Sequence, residues 1–270
     1  MTIHVDSDSC SHCGICGMVC PMGIITTADD STPVVPPEKV PFCIACGQCE
    51  VFCSAGALTL DHPPGYTMQK AWNGENITPD LLGLYLKTRR SIRQFKAESV
   101  PRETITSILD IARYAASGGN GQPVEWLVIH DPTEVKQVAS LTIDWMRTLL
   151  NSDHPMSSYI PSLLSGWDAG IDVICRGAPH LLVPHIPDNN PIATVDSIIA
   201  LTHADVAAPA FGVGTCWGGF VAMASRSYSP LIDVYGLPEG RIPAYALMFG
   251  YPVYKPSYIP DRKPLAISWH

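Results

Sequence analysis

Eight of the ten cysteines fall into two runs of identical spacing. The first is Cys10-x-x-Cys13-x-x-Cys16-x-x-x-Cys20, followed by Pro21; the second is Cys43-x-x-Cys46-x-x-Cys49-x-x-x-Cys53, followed by Ser54. Three thiolates this close in sequence can wrap three corners of an iron–sulfur cubane, with backbone N–H groups facing its sulfides. Tetrahedral zinc more usually draws its ligands as two separated pairs. A disulfide framework belongs to exported chains, and Met1 to Cys10 has neither the apolar stretch nor the basic start of a signal peptide. The spacing favours two 4Fe–4S clusters over zinc or disulfides, with all eight cysteines as metal ligands, and such clusters belong in a reducing cytoplasm.

The segment repeats internally. Gly14-Ile15-Cys16-Gly17 recurs as Ile44-Ala45-Cys46-Gly47, and each half ends in a short β-prone run, Ile24 to Thr27 and Leu58 to Leu60. Over its whole length it resembles a bacterial-type two-cluster ferredoxin, in which the fourth cysteine of each run ligates the other cluster. That resemblance implies one cluster on Cys10, Cys13, Cys16 and Cys53, and a second on Cys43, Cys46, Cys49 and Cys20.

The elements around these residues suggest two modules: a ferredoxin domain over 1–62, a linker over 63–76, and a larger domain over 77–270. The linker expectation rests on His62-Pro63-Pro64-Gly65-Tyr66. Charge divides the same way. Up to Asp61 there is a single basic residue, Lys39, against seven acidic ones, whereas the remainder is nearly balanced. An acidic module suits an electron carrier that docks on basic patches. No basic footprint for nucleic acid is present. The most apolar run, Val206 to Ala224, contains Pro209 and four glycines, and reads as a buried helix and a Gly-rich turn instead of a membrane span.

Beyond the linker, helical and extended patterns mix. Leu81, Leu82, Tyr85 and Leu86 form one helical stripe; Ile105, Ile108, Leu109 and Ala112 form another; Ile198 to Asp205 lie on a third helix. Trp126 to Ile129, Leu181 to Val183 and Ala244 to Phe249 read as buried strands. Three motifs interrupt them. Arg89-Arg90-Ser91-Ile92-Arg93 offers bidentate donors suited to phosphate, although a basic helix end taken alone more often simply compensates the dipole. Ala116-Ser117-Gly118-Gly119-Asn120-Gly121-Gln122-Pro123 is a turn that lets backbone approach a ligand. Gly212-Val213-Gly214-Thr215-Cys216-Trp217-Gly218-Gly219 lacks the spacing of a dinucleotide loop.

Taken together with the later Gly250-Tyr251-Pro252, these motifs make the chain from about Asp80 onward resemble the nitroreductase family of FMN proteins. The complete chain is similar to the ferredoxin-fused members of that family. The resemblance implies an α+β fold, a central sheet flanked by helices in an interlocked homodimer, with FMN at the subunit interface. By similarity, Arg89, Arg90 and Ser91 would hold the ribityl phosphate and Arg93 the pyrimidine edge of the ring, where a cation favours reduction. Ser117, Gly118, Asn120 and Gln122 would come from the other subunit. Trp217, Gly218 and Gly219 would contact the ring, with Arg262, and also Lys263, closing on the phosphate. The implied activity passes electrons, which enter the clusters singly, to FMN and on to a nitroaromatic, quinone-like or enone-like acceptor, with a ferredoxin or NAD(P)H as the donor. An electron-transfer adaptor for a protein partner, and a dehalogenase or dehydrogenase of the same fold, are the alternatives. Trp145, Trp167 and Asp168 occupy a stretch suited to a lid, while Cys175, Cys216, His130, His180, His185 and His203 read as structural. No catalytic residue stands out.

Overall fold

The computed structural model describes residues 3–62, 64 and 66–270. Pro63 and Gly65 of the expected linker lie outside the described residues. The chain divides into two compact units: Met1–Gly74 together with Gly119–Gly121, and Glu75–Gly118 together with Gln122–His270.

In the first unit, β1 (Ile3–Val5) pairs antiparallel with β2 (Leu58–Leu60), so the two ends of the module close on each other. Two single-turn helices, α1 (Ile15–Val19) and α2 (Gln48–Val51), follow the second cysteine of each run. The repeat of the two cysteine runs is also a backbone repeat. Gly14 and Gly47 cap the two helices with φ of 69° and 72°, and His12 and Ala45 both have φ of 53°. Glycine suits the first pair because an L side chain disfavours that region. Ile24, Ile25, Cys49, Leu58 and Leu60 form the small core. Of the expected run at Ile24 to Thr27, only Thr26 engages in β pairing, as an isolated bridge to Val34; the ladder partner of β2 is the N-terminal β1.

The second unit opens with α3 (Pro79–Thr88), whose N-cap Thr78 hydroxyl accepts from the Leu81 N–H at 3.2 Å, and α4 (Arg102–Ala112). Then come β3 (Glu125–Ile129), α5 (Pro132–Thr148), α6 (Ile160–Asp168), β4 (His180–Pro187) and α7 (Ala193–Ala207). The unit ends with β5 (Gly214–Trp217), α8 (Gly219–Ala224), α9 (Ser229–Val234), β6 (Arg241–Pro243) and β7 (Leu247–Gly250). The strands form one antiparallel sheet in the order β3-β4-β7-β5, with β6 also paired to β4.

Alternation along the strands sends side chains to two cores. Leu181, Val183 and Met248 join residues of α5, α8 and α9 on one face; Leu182, Leu247 and Phe249 join α4 and α7 on the other. The sheet is thus covered by helices on both sides, the α+β architecture expected.

Two details depart from the sequence reading. Four residues of the Gly212–Gly219 motif are strand β5, because their backbone completes the edge of the sheet against β7. The region read as a lid forms α5 and α6, with Trp145 buried in the core and Trp167 packed against it. Those tryptophans serve packing, and Asp168 is paired at the surface with Arg147 at 3.2 Å.

Candidate functional site

In the first unit the thiols gather around two cavities. One is lined by Cys10, Cys13, Cys16 and Cys53, with Val5, Pro33 and Leu58 among its apolar walls. The other is lined by Cys20, Cys43, Cys46 and Cys49, with Ile3, Ile24 and Leu60. In each, three cysteines come from one run and the fourth from the other run. Among the described residues no three His, Cys, Asp or Glu side chains gather tightly enough to hold a single metal ion. Four thiols around each cavity are the donor set that a 4Fe–4S group takes, one thiolate to each iron.

In the second unit the helix α3 ends at Thr88, and the following residues run along β5. The Ile92 N–H donates to the Thr215 oxygen at 2.8 Å, and Ser91 forms a parallel bridge with Thr215. This pairing brings the Arg89–Arg93 motif beside the Gly214–Gly219 motif. Arg89 is partly buried; its Nη1 stands 3.5 Å from Asp205 Oδ2, yet it is enclosed and donates no hydrogen bond. A buried guanidinium donor left in this state costs about 1–3 kcal/mol, and a phosphate oxygen is the kind of acceptor that would satisfy it. The residues here therefore fit a phosphorylated cofactor.

Trp217 is fixed by its Nε1–H, which donates to Asp205 Oδ2 at 2.9 Å, and by an edge contact to Tyr245 at 5.0 Å between ring centres. Gly218 donates to the Ala246 oxygen at 2.8 Å, and a Cβ on Gly218 would stand 3.3 Å from Ala246. The preceding residue, Cys216, is buried. Burial pushes its thiol up, and the positive charges of Arg93 and Arg176 act against that.

The Ser117 motif lies elsewhere. The Gly118 N–H donates to the buried carboxylate of Asp196 at 3.0 Å, and the Ser117 hydroxyl accepts from the Gln122 N–H at 3.0 Å. Arg241 donates to the Pro123 oxygen at 3.0 Å, so the loop is held at both ends. Asn120, grouped with the first unit, donates its side-chain amide to the Ile44 and Ala45 oxygens at 3.3 and 3.1 Å.

Comparison with known proteins places this arrangement. The profile of the nitroreductase family matches residues 86–251, and that of the 4Fe–4S binding domain matches residues 3–26. The chain belongs to the nitroreductase family. It is thus an FMN-dependent oxidoreductase carrying an N-terminal 4Fe–4S segment. A Methanothermobacter thermautotrophicus protein, named for NADH dehydrogenase or NAD(P)H nitroreductase activity, is 25% identical over 182 residues, covering 66% of this chain and 82% of the relative. Among solved structures, the FMN-bound nitroreductase of Desulfitobacterium hafniense is 21% identical, covers 72% of this chain and 100% of its own, and superposes with a TM-score of 0.58. The FMN-bound nitroreductase of Bacteroides fragilis is 18% identical, with coverage of 70% and 96% and a TM-score of 0.57. At these identities the two structures speak to the fold.

For this nitroreductase-family chain, the sequence-expected residues therefore fall into groups. Arg89, Arg90, Ser91, Arg93, Trp217, Gly218 and Gly219 flank one edge of the sheet. Ser117, Gly118 and Gln122 sit on the pinned loop. Arg262 lies on the exposed C-terminal segment, where its backbone N–H donates to the Asp261 carboxylate at 2.8 Å. Asp205 was read only as part of a helical stripe. A carboxylate among the apolar residues of that helix was the available signal.

Proposed function

We propose that this protein is an iron–sulfur flavoprotein reductase with two 4Fe–4S clusters and FMN, working as a homodimer on a small organic acceptor. The observation that carries the reading is the division of eight cysteines between two cavities in a chain whose other unit belongs to the nitroreductase family. Cys10, Cys13, Cys16 and Cys53 would hold one cluster; Cys20, Cys43, Cys46 and Cys49 the other. Clusters carry single electrons and a flavin handles one or two, so together they adapt a one-electron donor to a two-electron acceptor.

The chain's own residues then have distinct tasks. Arg89, Arg90 and Ser91 would bind the FMN phosphate, and the enclosed Arg89 Nη1 supports this. Arg93 would place positive charge by the pyrimidine edge of the ring, favouring the reduced form. Trp217, held by Asp205, would give the ring a fixed wall. Ser117, Gly118, Asn120 and Gln122, and Arg262, would complete the site from the partner copy.

The dimer is supported by apolar surface that one chain leaves open. Helix α3 buries none of its residues, and Leu81, Leu82, Leu84 and Leu86 are exposed, as are Tyr258, Leu265 and Trp269 of the C-terminal segment. Surfaces of this kind mark interaction sites. No helix among the described residues is long and apolar enough to cross a membrane.

The test is anaerobic purification, iron and flavin counting, and steady-state assay with NAD(P)H or reduced ferredoxin, each with and without a nitroaromatic acceptor. About eight irons and one FMN per chain are expected. Zinc in place of iron would sink the cluster assignment. Reoxidation by a protein partner, and by no small molecule, would select the adaptor alternative.

A further inference from the structure

Asp205 is a carboxylate, 4% exposed, on a helix whose neighbours are mostly apolar. Burying such a charge costs several kcal/mol unless it is paired and hydrogen-bonded, so its partners are informative. Oδ1 accepts from the Thr215 hydroxyl. Oδ2 accepts from the Trp217 indole N–H at 2.9 Å and faces Arg89 Nη1 at 3.5 Å. The carboxylate thus joins a residue expected at the flavin ring to one expected at the flavin phosphate.

The unequal distances matter. A guanidinium–carboxylate pair free to close would do so at about 2.7–2.9 Å. Here the indole N–H holds Oδ2, and the Arg89 cation is kept near by charge while its Nη1 bonds to nothing. Asp205 therefore confines the guanidinium by charge without taking a hydrogen bond from Nη1, on a side chain that keeps 28% of its surface open. A cation restrained this way loses less freedom when an anion binds than one that must first be drawn from water.

We propose that Asp205 is a positioning residue for flavin phosphate recognition: its charge holds Arg89 ready for the phosphate, and its second role is to fix Trp217. The inference rests on the FMN reading above. It makes a separable claim, because the charge and the hydrogen-bonding shape of Asp205 can be changed independently. In Asp205→Asn the carbonyl oxygen can still accept from Trp217, and the amide can donate to Thr215, whose hydroxyl accepts as readily as it donates. Only the attraction on Arg89 is lost.

The experiment compares FMN and riboflavin binding by fluorescence quenching, using the full-length protein stripped of flavin under anaerobic conditions with its iron retained. For Asp205→Asn, FMN affinity should fall at least tenfold while riboflavin affinity stays within twofold. Asp205→Glu should recover part of the FMN loss, and Asp205→Ala, which also frees Trp217, should weaken both flavins. Equal losses of both flavins in Asp205→Asn would mean a purely structural role and overturn the inference, as would unchanged or tighter FMN binding. Wild-type protein that binds neither flavin would overturn the FMN reading itself, and this inference with it.

Discussion

Gly214 and Ile92 lie so close that a Cβ on Gly214 would stand 2.5 Å from Ile92 Cγ1. The contact follows from the pairing of the Arg89–Arg93 segment with β5, in which the Ile92 N–H meets the Thr215 oxygen at 2.8 Å. Glycine is needed here for close approach. Gly214→Ala should force the two segments apart, at about 1–3 kcal/mol. The expected result is a lower melting temperature together with weaker FMN retention; an unchanged flavin content would separate this packing from the site.

Arg89→Met keeps much of the aliphatic stem and removes the charged donors. Charge-assisted hydrogen bonds contribute about 1.5–3 kcal/mol, so FMN affinity should fall by roughly 10- to 100-fold. Iron content should not change, because every expected cluster ligand lies in the first unit. Loss of iron alongside flavin, measured on the same preparation, would contradict the division of labour.

The crossed cysteine sets predict a pattern that single replacements cannot give. Cys16→Ala and Cys53→Ala line the same cavity, so combining them should remove no more iron than either alone, about four atoms. Cys49→Ala with Cys53→Ala strikes both cavities and should remove about eight. Iron analysis with EPR of the reduced variants distinguishes this from uncrossed runs.

His180 should resist protonation. Burial first, and the neighbouring His130 charge second, push its pKa down to about 4. The hydrogen bonds agree: its Nε2 accepts from the Val100 N–H at 2.8 Å, while Nδ1 donates to the His130 oxygen at 2.9 Å. An unfolded histidine takes up its proton near pH 6.5, so acid favours the unfolded chain. The contribution is complete above about pH 6.5 and is lost as pH falls toward 4, amounting to about 3 kcal/mol. NMR titration should find the His180 ring neutral at pH 5.5; a charged ring at that pH would refute the assignment.

Leu82→Glu with Leu84→Glu places charges on the open face of α3. If that face meets a second copy, the variant should sediment as a monomer and release FMN, while secondary structure and iron remain. A wild-type protein that is already monomeric at micromolar concentration would remove the homodimer from the proposal.

The cysteine spacing by itself determined a great deal about this protein. A cubane demands several thiolates within a short run, and that demand is written in local sequence, together with the repeat seen again in the backbone at Gly14 and Gly47. The longer apolar patterns likewise located α4, α7 and strands β3, β4 and β7, because burial imposes a period on the residues that face a core. The Arg89, Ser117 and Trp217 motifs were legible as motifs, but not their placement. Only the tertiary structure decided that Arg89 and Trp217 share Asp205, that Gly214–Trp217 is a strand, and that Trp145 is core. The reason is that each depends on segments distant in the chain: an edge strand is defined by the partner it pairs with, and a buried carboxylate by the donors that the fold brings to it.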